Sequence, residues 1–438
     1  MNIQKLSWQN LSQRPLSTFM SLLLLTLGVS IISLLLILNT QLDDTFKKNI
    51  AGIDLVIGAK GSPLQLILAS VYHIDNPTGN IPYAEAKEIA ASPLIEKAIP
   101  LAYGDNYKGY RILGTEHSYI EHYDGTLKKG RLYEEKYEVV LGATLAGILR
   151  LKIGDEFFGN HGSGEEGHVH DDQAYVVVGV LNKTETVLDN LILTEISSVW
   201  GIHDHSDEEA QEEEHDHEGH DHEEGDEHHG EEEHNHEGHE HHDEEHHDEH
   251  DHEHEEEGKE ITSMLLKWRS PMAMMSLPRM INQETSMQAA LPAIEVNRLF
   301  RLFAVGIDTL RLIALAIMII SGISVFVSLY NSLKERRYEM ALMRSMGASR
   351  GQLLWMVLLE GLILSILGFV LGIGLSRFGI WILSQTVVED YHYQLQAGVF
   401  LVEEWYLLGV TLLIGVLAAL IPGIQAFNVN ISETLSDG

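Results

Sequence analysis

The chain has 438 residues, no cysteine and a formal net charge of −36. This length allows several membrane spans together with one or two folded domains, and the lack of cysteine excludes disulfides and thiolate metal sites. The acidity argues against a nucleic-acid partner, because a phosphate backbone requires lysine and arginine. Residues 203–257 hold 29 Asp or Glu, 18 His and no Lys or Arg, so most of the net charge belongs to this one segment.

Four apolar stretches are predicted to cross a membrane. The first covers residues 19–38 without a charge, and at about 1.5 Å per residue it spans a hydrocarbon core of about 30 Å. We interpret it as an uncleaved anchor, because the apolar region of a signal peptide is shorter and no small-x-small cleavage site follows. The other three predicted spans are residues 312–330, 353–375 and 405–422.

The charges that flank these stretches predict the topology. The N-terminal segment, residues 1–18, and the connector, residues 331–352, are basic, whereas the short loop at residues 384–404 is acidic. The positive-inside rule therefore places both termini, including the tail at residues 423–438, on the cytoplasmic side of the membrane. Residues 41–308 are then extracytoplasmic.

The large extracytoplasmic region has the pattern of a mixed α+β domain. Residues 174–181 and 110–113 are predicted strands, the first of them buried, because β-branched residues dominate it. Residues 84–91 are a predicted short helix, and residues 294–311 a helical stalk. The predicted fold class is an integral membrane α-helical bundle of four spans plus an extracytoplasmic α+β domain with a disordered insert at residues 203–257, where apolar residues are nearly absent.

Histidine and carboxylate residues alternate in this insert, which suits Zn²⁺, Ni²⁺ or Cu²⁺. A second, shorter cluster falls in residues 161–172. The simpler alternative for both segments is a solvated acidic spacer. The candidate ligands are His215, His217, His220, His222, His234, His236, His239, His241, His242, His161, His168 and His170.

No catalytic motif is recognised in the sequence. The segment Asp54 to Pro63 has glycine and lysine but lacks the Gly-Lys-Ser/Thr end of a phosphate loop. His73, His117, His122 and His392 are scattered and are expected to be surface or hydrogen-bonded residues. We therefore expect no enzyme activity and no intrinsic cofactor.

The connector predicts a helix, a break and a second helix. Tyr338, Ala341, Leu342 and Ser345 share one helical face. Gly347 is a suitable stop, and Ser349 with Gln352 forms a capping box for the third span. Basic residues in this connector also determine the membrane topology, so their presence alone does not establish that a partner protein binds there.

The same connector resembles that of the FtsX/MacB-like ABC transporter permeases. The likeness lies in the Arg336-Arg337 pair, Glu339, the Met340–Leu342 triplet, Arg344 and Gly347-Ala348-Ser349, followed by Leu359-Glu360-Gly361. In the extracytoplasmic region, residues 141–157 and 178–193 are similar to the periplasmic domain of this family. The resemblance implies a homodimer that binds a pair of ABC ATPase subunits, with ATP in those partners and a periplasmic protein or lipoprotein as a further partner.

It also implies roles for particular residues. The implied ATPase-coupling set is Arg337, Glu339, Met340, Met343, Arg344, Gly347, Ala348 and Ser349. Glu360 and Gly361 are expected to be structural residues in the lipid bilayer, with Glu360 near the headgroups or in a helix interface; a proton relay is the alternative for this carboxylate. The implied function is mechanotransmission from the ATPase to a transported substrate, with regulation of an envelope hydrolase or sensor, or metal handling, as alternatives.

Overall fold

The computed structural model describes residues 15–160, 173–201, 258–391 and 396–428. The chain divides into two compact units. Residues 1–46 and 297–438 form the first, here called the membrane unit, and residues 47–296 form the second, here called the sheet domain.

The helices, in chain order, are α1 Pro15–Ile50, α2 Pro63–Ser70, α3 Tyr83–Ala90, α4 His117–His122, α5 Ala143–Leu149, α6 Ala273–Glu284, α7 Pro292–Glu335, α8 Arg337–Ser345, α9 Arg350–Tyr391 and α10 Val402–Phe427. The strands are β1 Leu55–Ala59, β2 Ile81–Pro82, β3 Ile95–Tyr107, β4 Tyr110–Thr115, β5 Leu127–Gly130, β6 Glu138–Leu141, β7 Glu156–Phe157, β8 Tyr175–Leu181, β9 Ile192–Glu195, β10 Glu260–Ile261, β11 Ser263–Trp268 and β12 Met287–Ala290.

Four of these helices, α1, α7, α9 and α10, are long and apolar enough to cross a membrane. Each runs past the apolar window that the sequence analysis assigned to it. The predicted stalk at residues 294–311 is continuous with the second span in α7, and most of the predicted loop at residues 384–404 is helical, because α9 reaches Tyr391 and α10 begins at Val402. Hydrocarbon thickness limits the apolar length of a span, whereas the backbone hydrogen bonds of a helix continue beyond it.

Small residues set the distances between the membrane helices. Along α1 and α9, Leu25 faces Gly368 and Val29 faces Gly372, so that a Cβ added at Gly372 would lie 2.7 Å from Val29. The same four-residue step on both helices means that the ridges of one fit the grooves of the other, with the two chains running parallel. Glycine at such points lets helix backbones approach closely in a membrane, where packing supports association.

The sheet domain is built on a mixed sheet. Among the described residues, nine strands follow the order β12-β1-β11-β3-β4-β9-β6-β8-β5, and β7 pairs with β8 as the tenth. The pairs β4–β9 and β6–β8 are parallel, and the other pairs of this sheet are antiparallel. The predicted strand at 174–181 is β8, although its burial alternates along the strand instead of being continuous.

Among the described residues, the core of this domain includes an apolar cluster around Leu55, Ile57 and Leu277 and another around Val139, Val177 and Ile192. Helices α3 and α6 contribute to the first cluster and α5 to the second. Four apolar helices and a mixed α/β sheet domain confirm these two parts of the predicted fold class, whereas the prediction of a disordered insert at residues 203–257 lies outside the described residues.

Candidate coupling site and helix contacts of the membrane unit

Helix α8 forms the short amphipathic piece predicted between the second and third spans. Its inward face inserts Met340, 3% exposed, and the buried Ala341 beside the ends of the long helices. The surrounding apolar cluster takes residues from all four elements: Val325, Leu329 and Leu333 of α7, Met340 of α8, Leu353, Met356, Val357 and Leu364 of α9, and Ala418, Ala419 and Ala426 of α10. Helix α8 thus contributes to an apolar cluster that also takes residues from α7, α9 and α10.

The opposite face of α8 is exposed. Tyr338 is 53% and Leu342 45% exposed, and Ser345 and Met346 continue the same side. The sequence had grouped Ala341 with this face, but Ala341 is buried, because the helix is turned so that positions 340 and 341 together point into the bundle. The exposed side therefore includes Tyr338, Leu342, Ser345 and Met346, with Met346 in place of the predicted Ala341.

The end of α8 and the start of α9 follow the predicted local chemistry. Gly347 has a φ of +103°, a conformation that residues with a Cβ rarely adopt. The amide of Ser349 donates to Oε1 of Gln352 at 2.9 Å, and the amide of Gln352 donates to Oγ of Ser349 at 3.3 Å. This reciprocal capping box fixes the direction in which α9 leaves the turn.

Gly361 lies in the contact between α9 and α10, and Glu360 is the residue before it in α9. Glu360 is buried, so its carboxylate is in the protein interior of the membrane unit. A Cβ on Gly361 would lie 2.7 Å from the carbonyl oxygen of Gly415, and one on Gly415 would lie 2.8 Å from the carbonyl oxygen of Gly361. The two helices thus touch backbone to backbone at this level.

An ion pair that the sequence analysis did not find joins α9 and α10 farther along. Nη2 of Arg377 lies 2.9 Å from Oε1 and 2.7 Å from Oε2 of Glu404, whose side chain is 3% exposed. Oγ of Ser33 in α1 donates to the same carboxylate at 2.7 Å. Because the single proton of Ser33 is used in this way, Ser376 is the donor in the 2.9 Å contact between the two serines.

The amide of Leu401 also donates to Glu404, at 3.3 Å, which caps the start of α10. The carboxylate therefore accepts hydrogen bonds from α1, α9 and its own helix terminus. Glu404 was assigned to an acidic loop because it stands at the edge of an apolar window. The sequence did contain a signal for this pair. Arg377 follows the predicted span at residues 353–375, and Glu404 precedes the next span, at residues 405–422.

The sheet domain contains one polar cluster around a histidine. The hydroxyl of Tyr103 donates to the carbonyl of Ala69, so it accepts from Nδ1 of His73 at 2.5 Å, and Nε2 of His73 accepts from Tyr119 at 2.7 Å. Burial, with a smaller contribution from Arg111, lowers the pKa of His73 to about 3. His73 is thus a hydrogen-bonded neutral residue, as expected for this isolated histidine.

Two family models match the chain. One describes the C-terminal part of FtsX-like permeases and covers residues 311–431, and the other describes the MacB-like periplasmic core domain and covers residues 18–213. Between them, the matched segments cover the four predicted spans and much of the sheet domain. The chain belongs to the FtsX/MacB-like ABC transporter permease family.

Two solved structures similar to this permease are periplasmic or extracellular regions. The periplasmic region of MacB from Actinobacillus actinomycetemcomitans has 14% identity and a TM-score of 0.32, covering 58% of this chain and 97% of that one. The extracellular domain of the noncanonic ABC-type transporter YknZ from Gram-positive bacteria has 10% identity and a TM-score of 0.29, covering 54% of this chain and 98% of that one. No curated protein matches the permease.

Membership of this family implies an inner-membrane component of an ABC system that associates with an ABC ATPase subunit and is itself generally not catalytic. Of the residues assigned to ATPase coupling, Arg337, Glu339, Gly347 and Ser349 are exposed, Met343, Arg344 and Ala348 are partly buried, and Met340 is buried. The coupling role of each stays a prediction.

The candidate metal ligands fall outside the described residues. His161, His168 and His170 lie within residues 161–172, and the nine from His215 to His242 lie within residues 202–257. Within the described ranges, no group of three or more His, Asp or Glu side chains is placed to hold a metal ion.

Proposed function

We propose that this permease is the mechanotransmission subunit of its ABC complex, in which α8 receives the movement of a separate ATPase pair and passes it to the membrane helices. The observation that carries the proposal is the two-sided environment of α8. Met340 and Ala341 fix one face among the long helices, while Tyr338, Leu342 and Met346 present an apolar surface on the other. An exposed apolar face next to charged residues is suited to a protein partner.

The proposed path leads from α8 into α7. Met340 shares its cluster with Leu329 and Leu333, which lie in the last two turns of α7. Helix α7 is unbroken from Glu335 back to Pro292, so its backbone hydrogen bonds carry an axial or tilting movement along its full length. We expect the work to be done on a substrate or partner outside the membrane, with both termini in the cytoplasm.

A homodimer is part of this proposal. Leu302, Phe303 and Val305 of α7 are exposed apolar residues, followed by Leu310. They precede the predicted span at residues 312–330, in the segment that the sequence analysis interpreted as a stalk. A second copy of α7 would remove this surface from water, which supports pairing of two permeases with two ATPases.

Metal binding by the histidine-rich segment is a separate proposal. Its support is the composition of residues 203–257, in which 18 His alternate with 29 Asp or Glu. Neutral imidazole and carboxylate together suit Zn²⁺ or Ni²⁺. In this proposal the metal modulates the complex and is neither a catalytic cofactor nor necessarily the transported substrate.

The direct test is reconstitution of the full chain with its ATPase in liposomes, with ATP hydrolysis and co-purification as readouts. Leu342→Glu puts a charge on the exposed face of α8 and should abolish both, because burying an unpaired charge in the contact is unfavourable. Leu342→Met is the matched control and should behave as the wild type. If Leu342→Glu still binds and stimulates the ATPase normally, α8 does not dock through this face.

A further inference from the structure

The contacts around Glu404 gather three of the four long helices at the end of the bundle far from α8. Arg377 lies 27 residues after the start of α9, and Glu404 is the third residue of α10. The end of α10 returns to the beginning of α9, where the guanidinium of Arg350 lies 5.8 Å from the ring centre of Phe427. Arg377 and Glu404 are thus at one end of the α9–α10 pair and α8 is at the other.

We infer that Glu404 and Arg377 are positioning residues that clamp α1, α9 and α10 into one rigid group, against which α7 moves when α8 is displaced. This inference rests on the proposed transmission through α8. The clamp consists of Ser33, Ser376, Arg377 and Glu404. Ser33 and Arg377 make charge-assisted hydrogen bonds of 2.7 to 2.9 Å to the carboxylate of Glu404, and the two serines are 2.9 Å apart.

The clamp is cooperative because its members depend on one carboxylate. Glu404 is the acceptor for both Ser33 and Arg377, so a shift of α1 or α9 relative to α10 would break charge-assisted bonds in a poorly solvated place. Nε and Nη1 of Arg377 have no hydrogen-bond partner within the described part of the chain. Its polar anchoring therefore comes from Glu404, with the ring of Phe400 5.0 Å from the guanidinium carbon.

A second contact reinforces the link between α1 and the segment that leads into α10. The side chain of Gln41 donates from Nε2 to the carbonyl of Gln396 at 2.6 Å and accepts from the amide of Gln396 at 3.0 Å. Both bonds of the Gln41 amide group are made to one backbone unit, two turns beyond Ser33. Helix α1 is therefore held at two levels of the same end.

Several of the contacts between α7 and α1 are of another kind. They include the neutral pairs Ser21–Ser324, at 2.9 Å, and Ser17–Ser328, at 3.4 Å, both toward the α8 end. They also include an edge-to-face contact between the rings of Phe46 and Phe300, whose centres are 5.3 Å apart. Farther along, Met318 packs against Val29. Neutral hydroxyl pairs and apolar contacts exchange partners at lower cost than a buried ion pair, so α7 is the helix that can be displaced.

The lack of cysteine allows a matched cross-linking test in the full chain assembled with its ATPase. S33C/S376C joins α1 to α9 within the clamp, and S21C/S324C joins α1 to α7; the two native pairs have the same 2.9 Å Oγ separation. The first disulfide should form with and without ATP and leave ATPase stimulation intact. The second should reduce stimulation by about tenfold, a typical coupling energy, and reductant should restore it.

The opposite pattern would overturn the inference. If the S33C/S376C disulfide abolishes stimulation, or forms in only one nucleotide state, α1 and α9 separate during the cycle. Equal tolerance of both disulfides would likewise show that α7 does not move against α1.

A second measurement does not depend on the ATPase. In the permease alone, adding E404Q should slow formation of the S33C/S376C disulfide and leave that of S21C/S324C unchanged, because only the first pair lies in the clamp. R377M/E404M removes both charges and should give the same result if E404Q alone fails to insert. Unchanged rates for both pairs would exclude the clamp, even if the ATPase docks on α8 as proposed. Slowed S33C/S376C cross-linking in a permease that does not bind the ATPase would reject only the docking.

Discussion

Gly361 and Gly415 bring the backbones of α9 and α10 into direct contact. A Cβ added at Gly361 would lie 2.7 Å from the carbonyl oxygen of Gly415, and one added at Gly415 would lie 2.8 Å from the carbonyl oxygen of Gly361. Oγ of Ser365 donates to the carbonyl of Gly361 at 3.0 Å and fills the remaining space beside Gly415. The contact lies one residue from the buried Glu360.

Gly415→Ala should destabilise the membrane unit. The added Cβ would lie 1.9 Å from Oγ of Ser365, which can rotate, and 2.8 Å from the backbone carbonyl oxygen of Gly361, which cannot. The helices must therefore separate, at a cost of about 1–3 kcal/mol for overpacking. Gly409→Ala in the same helix is the control, because no atom lies within 4 Å of a Cβ there. Thermal unfolding in detergent would show a lower midpoint for the first variant only, and equal midpoints would contradict the close approach.

Gly347→Val should weaken coupling by distorting the turn between α8 and α9. A β-branched residue at a φ of +103° is strained by roughly 1–2 kcal/mol, so the turn would adopt another conformation and α8 would be misplaced. Gly351→Ala, in the first turn of α9, has open space and is the control. ATPase stimulation should fall for Gly347→Val while insertion persists; full stimulation would show that the geometry of this turn is not required.

Glu404→Gln should lower stability far more than Glu403→Gln, its exposed neighbour. The amide keeps the shape of the side chain but leaves the guanidinium of Arg377 without a counter-charge, and loss of one partner of a buried pair costs about 3–5 kcal/mol. The expected result is a large fall in the detergent unfolding midpoint for Glu404→Gln alone. The pair would be energetically unimportant if the two variants unfolded together.

The sheet domain should lose stability in acid through His73. Its folded pKa of about 3 lies below the 6.5 of an unperturbed histidine, so the unfolded chain binds the extra proton between these values. Stability is therefore highest above pH 6.5 and falls as the pH decreases toward 3, by at most about 1.4 kcal/mol per pH unit. His73→Asn removes this titration, and asparagine tolerates the positive φ of 55°.

Urea unfolding of the sheet domain within the full chain, followed at pH 7, 6, 5 and 4, measures the effect. The slope of the free energy of unfolding against pH should be shallower in His73→Asn. The difference in slope corresponds to at most one proton bound on unfolding, and it does not depend on the stability lost with the hydrogen bonds of His73. Parallel curves for the two proteins would show that His73 takes up a proton equally in the folded and unfolded states.

The segment at residues 203–257 should bind several Zn²⁺ or Ni²⁺ ions, and its affinity should fall between about pH 7 and 5, because ligand imidazoles must be neutral and their reference pKa is about 6.5. Calorimetric titration of the full chain against a variant that lacks residues 203–257 isolates its contribution. The deletion should leave ATPase stimulation intact in metal-free buffer. Identical zinc binding by the two proteins would leave the segment as an acidic spacer.

Local features of this permease could be inferred from the sequence. Apolar runs of sufficient length indicated the four long helices, and the Ser349–Gln352 spacing and Gly347 predicted the capping box and the turn that the structure contains. These features depend on residues at most a few positions apart, so hydrogen-bond geometry and chain length suffice to predict them. Which face of α8 turns inward was only partly predictable, because a helix of nine residues allows several orientations against its neighbours.

The contacts between distant parts of the chain were decided by the tertiary structure. Ser33 and Glu404 are separated by 371 positions, and no local pattern relates them. Arg377 and Glu404 each fall just outside an apolar window, where a charged side chain is ordinarily taken to meet water or headgroups. They are buried together because the parallel packing of α1 on α9 and the Gly361–Gly415 contact bring three helix ends to one point, and only a counter-charge makes burial of either group tolerable.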